Sequence, residues 1–142
     1  MKKAQIFLLL FLSSIAILSA CNKKSNKITS DSIVYNNDIF TEDLYNNIIE
    51  IDGYYGGENV NITNNEDIYH IYNNLASLTI TEIPDNEEQK DGPLIITLVT
   101  KDKTIGIGLS SDELVRDYIR YTVDKDIVNG INDILQKNLK KQ

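Results

Sequence analysis

Leu94 to Leu109, which reads LIITLVTKDKTIGIGL, is the stretch that decides the fold of this 142-residue chain. Its first seven residues, Leu94 to Thr100, form an apolar, β-branched run of the length of a buried strand. Lys101 to Lys103 predicts a tight turn, and Thr104 to Leu109 alternates apolar side chains with Thr and Gly. The stretch therefore predicts a β-hairpin whose second strand is apolar on one side only.

The clearest helix signal lies upstream of this hairpin. Thr63-Asn64-Asn65-Glu66 has the pattern of a capping box, with Thr63 as N-cap and Glu66 reaching back to it. Apolar residues then recur at spacings of three and four, at Ile68, Ile71, Leu75 and Leu78. We expect an amphipathic helix from Asn64 to Ser77 that packs on the sheet.

Two further strands are predicted before that helix. Asn47 to Tyr54 alternates, with Ile49 and Ile51 on one face, and Asn59 to Ile62 is the expected returning strand. Gly53 and Gly56-Gly57 mark the turn between these strands.

The segment from Ile33 to Asn47 is ambiguous. Thr41 has the character of an N-cap, and Leu44, Tyr45 and Ile48 would form the apolar side of a short helix.

Residues 110–123 allow two interpretations. Ser110-Ser111-Asp112-Glu113 is another capping-box pattern and favours a helix, whereas Tyr118 to Val123 is rich in aromatic and β-branched residues and favours a strand. We expect a strand over 117–123. Asp124 stands where an N-cap belongs, and apolar residues at helical spacing predict a helix over 125–138.

The predicted elements follow the order β-β-α-β-β-β-α. This order is typical of an α+β domain, here a small antiparallel sheet with two helices packed on one face. Residues 33–142 are of a length for one domain with its own core.

The amino-terminal twenty residues have the three parts of an export signal. Lys2 and Lys3 provide the positive charge, Ile6 to Leu18 is an apolar stretch, and small residues follow up to Ala20. An uncleaved transmembrane anchor is the alternative, but such a helix needs about 20 apolar residues. The run from Ala4 to Ala20 is shorter and contains Gln5 and three serines.

Leu18-Ser19-Ala20-Cys21 resembles the lipobox of bacterial lipoproteins. The resemblance covers about the first 21 residues and implies cleavage before Cys21. It also implies a diacylglyceryl group on the Cys21 thiol, with the new amino terminus either free or acylated as well, for instance by palmitate, so that the anchor has two or three acyl chains. Residues 21–32 would then be the lipidated cysteine and a polar, flexible tether. The layout resembles short cell-envelope lipoproteins of low-GC Gram-positive bacteria, which implies a lipid anchor on the extracytoplasmic face of the cell membrane.

The charge distribution indicates which kinds of partner the protein can bind. Removal of residues 1–20 takes away Lys2 and Lys3, so 12 of the 14 Lys and Arg residues remain against 21 Asp and Glu. Lys23, Lys24 and Lys27 lie beside the expected lipid, so the rest of the chain is strongly acidic. A basic collar suits an anionic membrane surface, and an acidic body argues against nucleic acid as a partner.

No catalytic or cofactor motif is present in the sequence. His70 is the single histidine and Cys21 the single cysteine, which together cannot make a catalytic triad or a usual zinc site. The acidic loop at 85–92 fails the EF-hand calcium template because Lys90 stands where Gly is required. Paired carboxylates for glycoside hydrolysis are expected by chance among 21 acids. We therefore expect no enzyme activity, no cofactor and no metal.

Tyrosines are the more suggestive residues, because tyrosine is enriched at protein contact sites. Tyr54 and Tyr55 lie at a strand end, which leaves two interpretations open: exposure for contact with a partner, or partial burial against the sheet. The other tyrosines considered are expected to be partly buried between helix and sheet, namely Tyr69, Tyr72, Tyr118 and Tyr121. The favoured function is a non-enzymatic interaction or inhibitor module that binds an envelope or secreted protein. A small-ligand or ion-binding lipoprotein is the alternative.

Overall fold

A computed structural model of the protein describes residues 33–84 and 94–141. The helices in these residues are α1 (Glu42–Asn47), α2 (Asn65–Ala76) and α3 (Val128–Leu139). The strands are β1 (Ile48–Tyr55), β2 (Glu58–Ile62), β3 (Ile80–Glu82), β4 (Leu94–Thr100), β5 (Thr104–Leu109), β6 (Glu113–Arg116) and β7 (Ile119–Val123). The export signal, Cys21, the tether and the acidic loop at 85–92 lie outside the described residues.

The seven strands form one sheet in the order β2-β1-β4-β5-β6-β7-β3. Every neighbouring pair is antiparallel, which confirms the predicted α+β class with an antiparallel sheet. The central hairpin of β4 and β5 has the predicted bounds. Helix α2 connects β2 at one edge with β3 at the other, so the chain crosses the whole sheet between them.

One face of the sheet carries the core. On β4, Leu94, Ile96 and Leu98 are buried, and their partners on β5 are buried with them. On the opposite face, the side chain of Ile95 is 63% exposed and Gly106 is exposed. Both long helices pack on the buried face, as the sequence predicts, because their apolar stripes are removed from water only there.

Helix α3 lies directly over β1 at Gly53. An added Cβ at Gly53 would stand 2.5 Å from Cδ2 of Leu135, so glycine permits the close approach of the helix. The prediction that Gly53 belongs to the turn is therefore wrong. The turn consists of Gly56 and Gly57 alone, both with positive φ.

Strand β1 contains a bulge that the alternating pattern did not predict. Ile48 pairs with Thr100 and Glu50 pairs with Val99, so Ile49 is an extra residue between two consecutive pairs. The side chain of Ile49 is 51% exposed while Ile48 and Ile51 are buried. The expectation that Ile49 and Ile51 share a face is wrong because the bulge changes the alternation.

Helix α2 begins one residue later than predicted. Asn64, rather than Thr63, is the N-cap, and its Oδ1 accepts a hydrogen bond of 2.8 Å from the backbone N–H of Asp67. Asn64 Nδ2 also donates to Asp67 Oδ2 at 2.8 Å. The capping interaction therefore uses Asn64 and Asp67 instead of Thr63 and Glu66.

Helix α3 also begins later than its predicted start. Asp124 is not its N-cap, because its Oδ1 accepts a hydrogen bond of 3.0 Å from the backbone N–H of Thr79. Asp126 Oδ1 accepts instead from the N–H of Val128, the first helical residue, at 2.8 Å. Asp124 thus joins the segment after β7 to the segment before β3.

The Ser110 pattern forms a turn between two strands rather than a helix start. Ser110 Oγ accepts a hydrogen bond of 3.0 Å from the N–H of Glu113, the bond a capping box would make. Leu109 pairs with Leu114 across this turn, so 113–116 is a strand that the sequence did not predict. The predicted strand at 117–123 begins at Ile119 because Asp117 and Tyr118 form the next turn.

The segment before α1 is held against the carboxyl end of α2 by Asn37. Its Nδ2 lies 2.9–3.1 Å from the carbonyl oxygens of Leu75, Ala76 and Leu78, and its Oδ1 accepts from the N–H of Phe40 at 2.9 Å. Thr41 caps α1 as the sequence suggests, with Oγ1 accepting from the N–H of Leu44. This path places α1 on the core face of the sheet.

Candidate functional site

The hairpin of β6 and β7 is closed by a two-residue turn of Asp117 and Tyr118. Arg116 pairs with Ile119, and φ is 54° at Asp117 and 66° at Tyr118. Positive φ at both central residues is the geometry of a type I′ turn, which glycine and asparagine favour. A bulky side chain in this region costs roughly 1–2 kcal/mol.

The hairpin of β1 and β2 provides an internal comparison. It is also closed by two residues with positive φ, and both are glycine, with φ of 62° at Gly56 and 91° at Gly57. Among the described non-glycine residues, only Asp117 and Tyr118 have positive φ. The chain therefore uses unstrained residues in one hairpin and accepts backbone strain in the other.

The strain at Tyr118 is not offset by packing. The Tyr118 side chain is 99% exposed, and Ile119 beside it is 41% exposed. The expectation that Tyr118 is partly buried is therefore wrong, whereas Tyr69 and Tyr121 are half-buried and Tyr72 is fully buried. Strained backbone residues cluster at functional sites, so this exposed tyrosine is a candidate site residue.

Arg116 fixes the base of the hairpin. Its Nη1 donates to the carbonyl oxygen of Ile39, and its guanidinium lies 5.4 Å from the centre of the Phe40 ring. Its Nε also lies 3.3 Å from Oδ2 of Asp117. These contacts join the hairpin to the segment that precedes α1, so the tip projects from a supported base.

A cleft lies beside the hairpin tip, between the sheet and the segment from Asp38 to Asn47. Its volume is about 520 Å³. Thr100, Ile119 and Tyr121 line it from the sheet, and Ile39 and Leu44 line it from the opposite side. The cleft is thus partly apolar, and Asp117, the neighbour of Tyr118 in the turn, is one of its lining residues.

Carboxylates predominate among the charged groups of this cleft. Four aspartates line it, against Arg116 and Lys103 as cations; they are Asp38, Asp43, Asp102 and Asp117. The guanidinium of Arg116 is already engaged by Ile39 and Asp117. The aspartates come from three separate parts of the chain, so no local pattern in the sequence could have indicated the cleft.

The two tyrosines that the sequence singled out differ from each other in the structure. The side chain of Tyr54 is 58% exposed, on the sheet face opposite the helices. Tyr55 points to the other face and packs against the core, as alternation along a strand requires. Strands β4 and β5 separate Tyr54 from the β6–β7 hairpin, so Tyr54 and Tyr118 belong to different surfaces.

The single histidine of the chain lies outside the cleft lining. His70 is exposed on α2, where its ring makes an edge contact with Tyr69 at 5.3 Å. Within residues 33–84 and 94–141, no three His, Cys, Asp or Glu residues are grouped so as to hold a metal ion. The helices of these same ranges include none long and apolar enough to cross a membrane.

Sequence reasoning missed Tyr118 although one signal was available. Two consecutive residues between strand-like segments are the spacing of a tight hairpin. Asp117 is also a residue that tolerates positive φ. The aromatic composition of 118–123 favoured one continuous strand, which concealed the turn.

Comparison of the chain with protein-family models, curated proteins and solved structures finds no match in any of the three.

Proposed function

We propose that the protein is a lipid-anchored, extracytoplasmic and non-enzymatic domain that binds an envelope or secreted protein through the tip of its β6–β7 hairpin. The proposed location at the membrane rests on the segment Leu18-Ser19-Ala20-Cys21, which resembles a lipobox. Two or more acyl chains would hold the domain stably at the membrane surface. The acidic body would be oriented away from an anionic membrane.

The observation that carries this proposal is the exposure of Tyr118 on a strained turn. Its side chain is 99% exposed at a φ of 66°. Tyrosine offers a large amphipathic contact area at low conformational cost, and it is enriched among residues that dominate binding energy. A rigid two-residue turn also positions the ring before binding, which lowers the entropy cost of association.

A binding role is favoured over catalysis by the inventory of reactive groups. The chain has one histidine, and that histidine is exposed and does not line the cleft. Its one cysteine is Cys21, the expected lipid attachment site. General acid–base or nucleophilic catalysis requires such groups to lie within hydrogen-bonding reach of each other.

Site-directed photo-crosslinking tests the binding role directly. Benzoylphenylalanine replaces Tyr118 in the full lipoprotein, expressed in its source cells, and the matched control carries the same group at Asp133, an exposed position on α3. We expect one extracytoplasmic protein to be cross-linked from position 118 and not from 133.

Purified components then measure the contribution of Tyr118 itself. Loss of a residue that dominates an interface costs about 2 kcal/mol, or roughly thirtyfold in Kd. We expect Tyr118→Gly to weaken binding by this factor, while Tyr54→Ala measures the second, separate surface. Equal affinity of Tyr118→Gly and the unaltered protein would contradict the proposal.

A separate experiment tests the lipid anchor at Cys21. Cys21→Ala should remove palmitate labelling and block cleavage of the precursor. An unlabelled native protein of precursor size would instead favour an uncleaved transmembrane anchor.

A small-ligand-binding lipoprotein is the second candidate, and the cleft favours it. A volume of about 520 Å³ is within the range of small-molecule sites. Thermal shifts with a panel of polar metabolites discriminate the two candidates, because a small ligand would raise Tm in the absence of any protein partner.

A further inference from the structure

We infer that the cleft beside Tyr118 receives an arginine or lysine side chain from the protein bound at the hairpin tip. The inference rests on the proposed function and specifies the chemistry of the partner. Tyr118 is next to the cleft lining along the chain, since Asp117 lines the cleft and forms the turn together with Tyr118. A partner bound at Tyr118 therefore lies next to the part of the cleft lining that Asp117 forms.

The lining of the cleft matches both parts of a long cationic side chain. Ile39, Leu44 and Ile119 provide apolar surface for the aliphatic stem. Asp43 and Asp102 provide carboxylates for the charged end, and they come from α1 and from the β4–β5 turn. Arginine and lysine bury their stems along apolar surface in this way while their charge is satisfied elsewhere.

Charge selects this occupant over a second copy of the chain. Tyr118 of one copy could in principle enter the cleft of another, because tip and cleft are adjacent and a twofold axis would exchange them. Such a dimer would bring together two linings in which four aspartates outnumber the two cations, Lys103 and Arg116, so each copy would contribute an excess of negative charge. Like charges across an interface are unfavourable, whereas a basic partner would be attracted from a distance.

A pair of small probes isolates the charge. N-acetyl-arginine methylamide and the citrulline equivalent have nearly the same shape, but only the arginine compound is charged. Each is titrated into the full lipoprotein in detergent micelles, and backbone amide shifts are followed. We expect the arginine compound alone to shift Ile39, Asp43 and Ile119, and the response to weaken as salt is raised.

Variants of the rim provide the second arm. We expect Asp43→Asn/Asp102→Asn to weaken arginine binding about fivefold to tenfold, as two partly exposed charge pairs would. The control is Glu66→Gln/Asp133→Asn, which removes two exposed carboxylates that do not line the cleft. Cross-linking from position 118 is repeated in the Asp43→Asn/Asp102→Asn background, where we expect it to decrease.

Several results would overturn the inference. Equal shifts with the citrulline compound, or unchanged binding in Asp43→Asn/Asp102→Asn, would remove the role of charge. A concentration-dependent dimer that is lost in Tyr118→Gly would assign the cleft to a second copy. Retained cross-linking at 118 without arginine binding would overturn the inference alone. Arginine binding without any cross-linked protein would instead identify a small cationic ligand and overturn both proposals.

Discussion

Asn138 Nδ2 lies 2.9 Å from Asp67 Oδ2 and donates a hydrogen bond that joins the last turn of α3 to the first turn of α2. Both side chains are buried. Asp67 also accepts from Lys137 Nζ and from Asn64 Nδ2, each at 2.8 Å. The carboxylate thus connects the two long helices of the core face through three donors.

The first prediction concerns the pH dependence of this network. Burial raises the pKa of Asp67, and the hydrogen bonds from Lys137, Asn138 and Asn64 outweigh burial, so the pKa lies below its ordinary value of 3.8. Since folding lowers this pKa, the contribution of the Asp67 carboxylate to the free energy of unfolding is complete at pH values above its ordinary pKa. The contribution is lost as the pH falls below that value. Asp67→Asn should therefore flatten the acid limb of stability against pH, measured by urea unfolding.

Removal of the whole carboxylate should also lower stability at neutral pH. Asp67→Ala leaves buried donors unsatisfied, which we expect to reduce the free energy of unfolding by about 2 kcal/mol. Asp133→Asn, an exposed carboxylate on α3, is the control and should change little. An acid limb in Asp67→Asn as steep as in the unaltered protein would contradict the assignment.

The second prediction concerns the contact of α3 with β1. Gly53→Ala would place a Cβ 2.5 Å from Cδ2 of the fully buried Leu135. Overpacking of a core usually costs 1–3 kcal/mol, and we expect about 2 kcal/mol here. Gly106→Ala is the matched control, because a Cβ there meets nothing within 4 Å. It should raise stability by about 0.5 kcal/mol, since glycine weakens a strand interior.

Urea midpoints at constant slope compare these two variants. Equal effects of Gly53→Ala and Gly106→Ala would show that Leu135 moves away at little cost, and the close approach would then be unimportant for stability.

The third prediction separates strain from contact at the β6–β7 turn. Tyr118→Gly should raise the free energy of unfolding by about 1 kcal/mol, because glycine adopts positive φ without steric cost. Tyr118→Ala keeps the Cβ and should leave stability near that of the unaltered protein, since the exposed ring makes little contact. Thermal unfolding of the three proteins measures the differences. A lower free energy of unfolding in Tyr118→Gly would contradict the interpretation that the backbone at Tyr118 is strained.

The fourth prediction concerns alkaline conditions. Burial raises the pKa of Tyr72 above its ordinary value of 10.0, and the nearby Tyr35 raises it further. Its hydroxyl donates to the carbonyl oxygen of Thr41 at 2.7 Å. Because folding raises this pKa, the contribution of Tyr72 to the free energy of unfolding is complete at pH values below its ordinary pKa. The contribution falls as the pH rises above that value. Tyr72→Phe should reduce that alkaline decline and cost about 1 kcal/mol at neutral pH.

Tyr54→Phe is the control for Tyr72→Phe, because its side chain is largely exposed on the other sheet face. Unfolding by urea at neutral and alkaline pH gives the comparison. An unchanged alkaline decline in Tyr72→Phe would assign the effect to other groups.

Elements that depend on short-range patterns could be predicted. Strands β4 and β5 have the predicted bounds, and α2 differs from its prediction by one residue at each end. In these segments the period of the apolar residues and the end signals agree, and both act over a few neighbouring residues. Even errors there were local, as when Asn64 replaced Thr63 as the N-cap.

Elements that depend on distant partners could not be predicted. Strand β3 is three residues long and pairs with β7, about forty residues later in the chain. Ser110 makes the same hydrogen bond in a turn that it would make at a helix start, so its pattern does not distinguish the two. Only the pairing of Leu109 with Leu114 decides for a turn.

The sequence by itself determined the α+β class, the central hairpin, the two amphipathic helices and the shared face on which they pack. These follow from periodicity and from the need to bury each apolar stripe against another. The tertiary structure alone decided the exposure of Tyr118 and the cleft beside it. The residues that line the cleft are spread along the chain from Asp38 to Tyr121. Their proximity results from strand pairing across the sheet rather than from any local pattern.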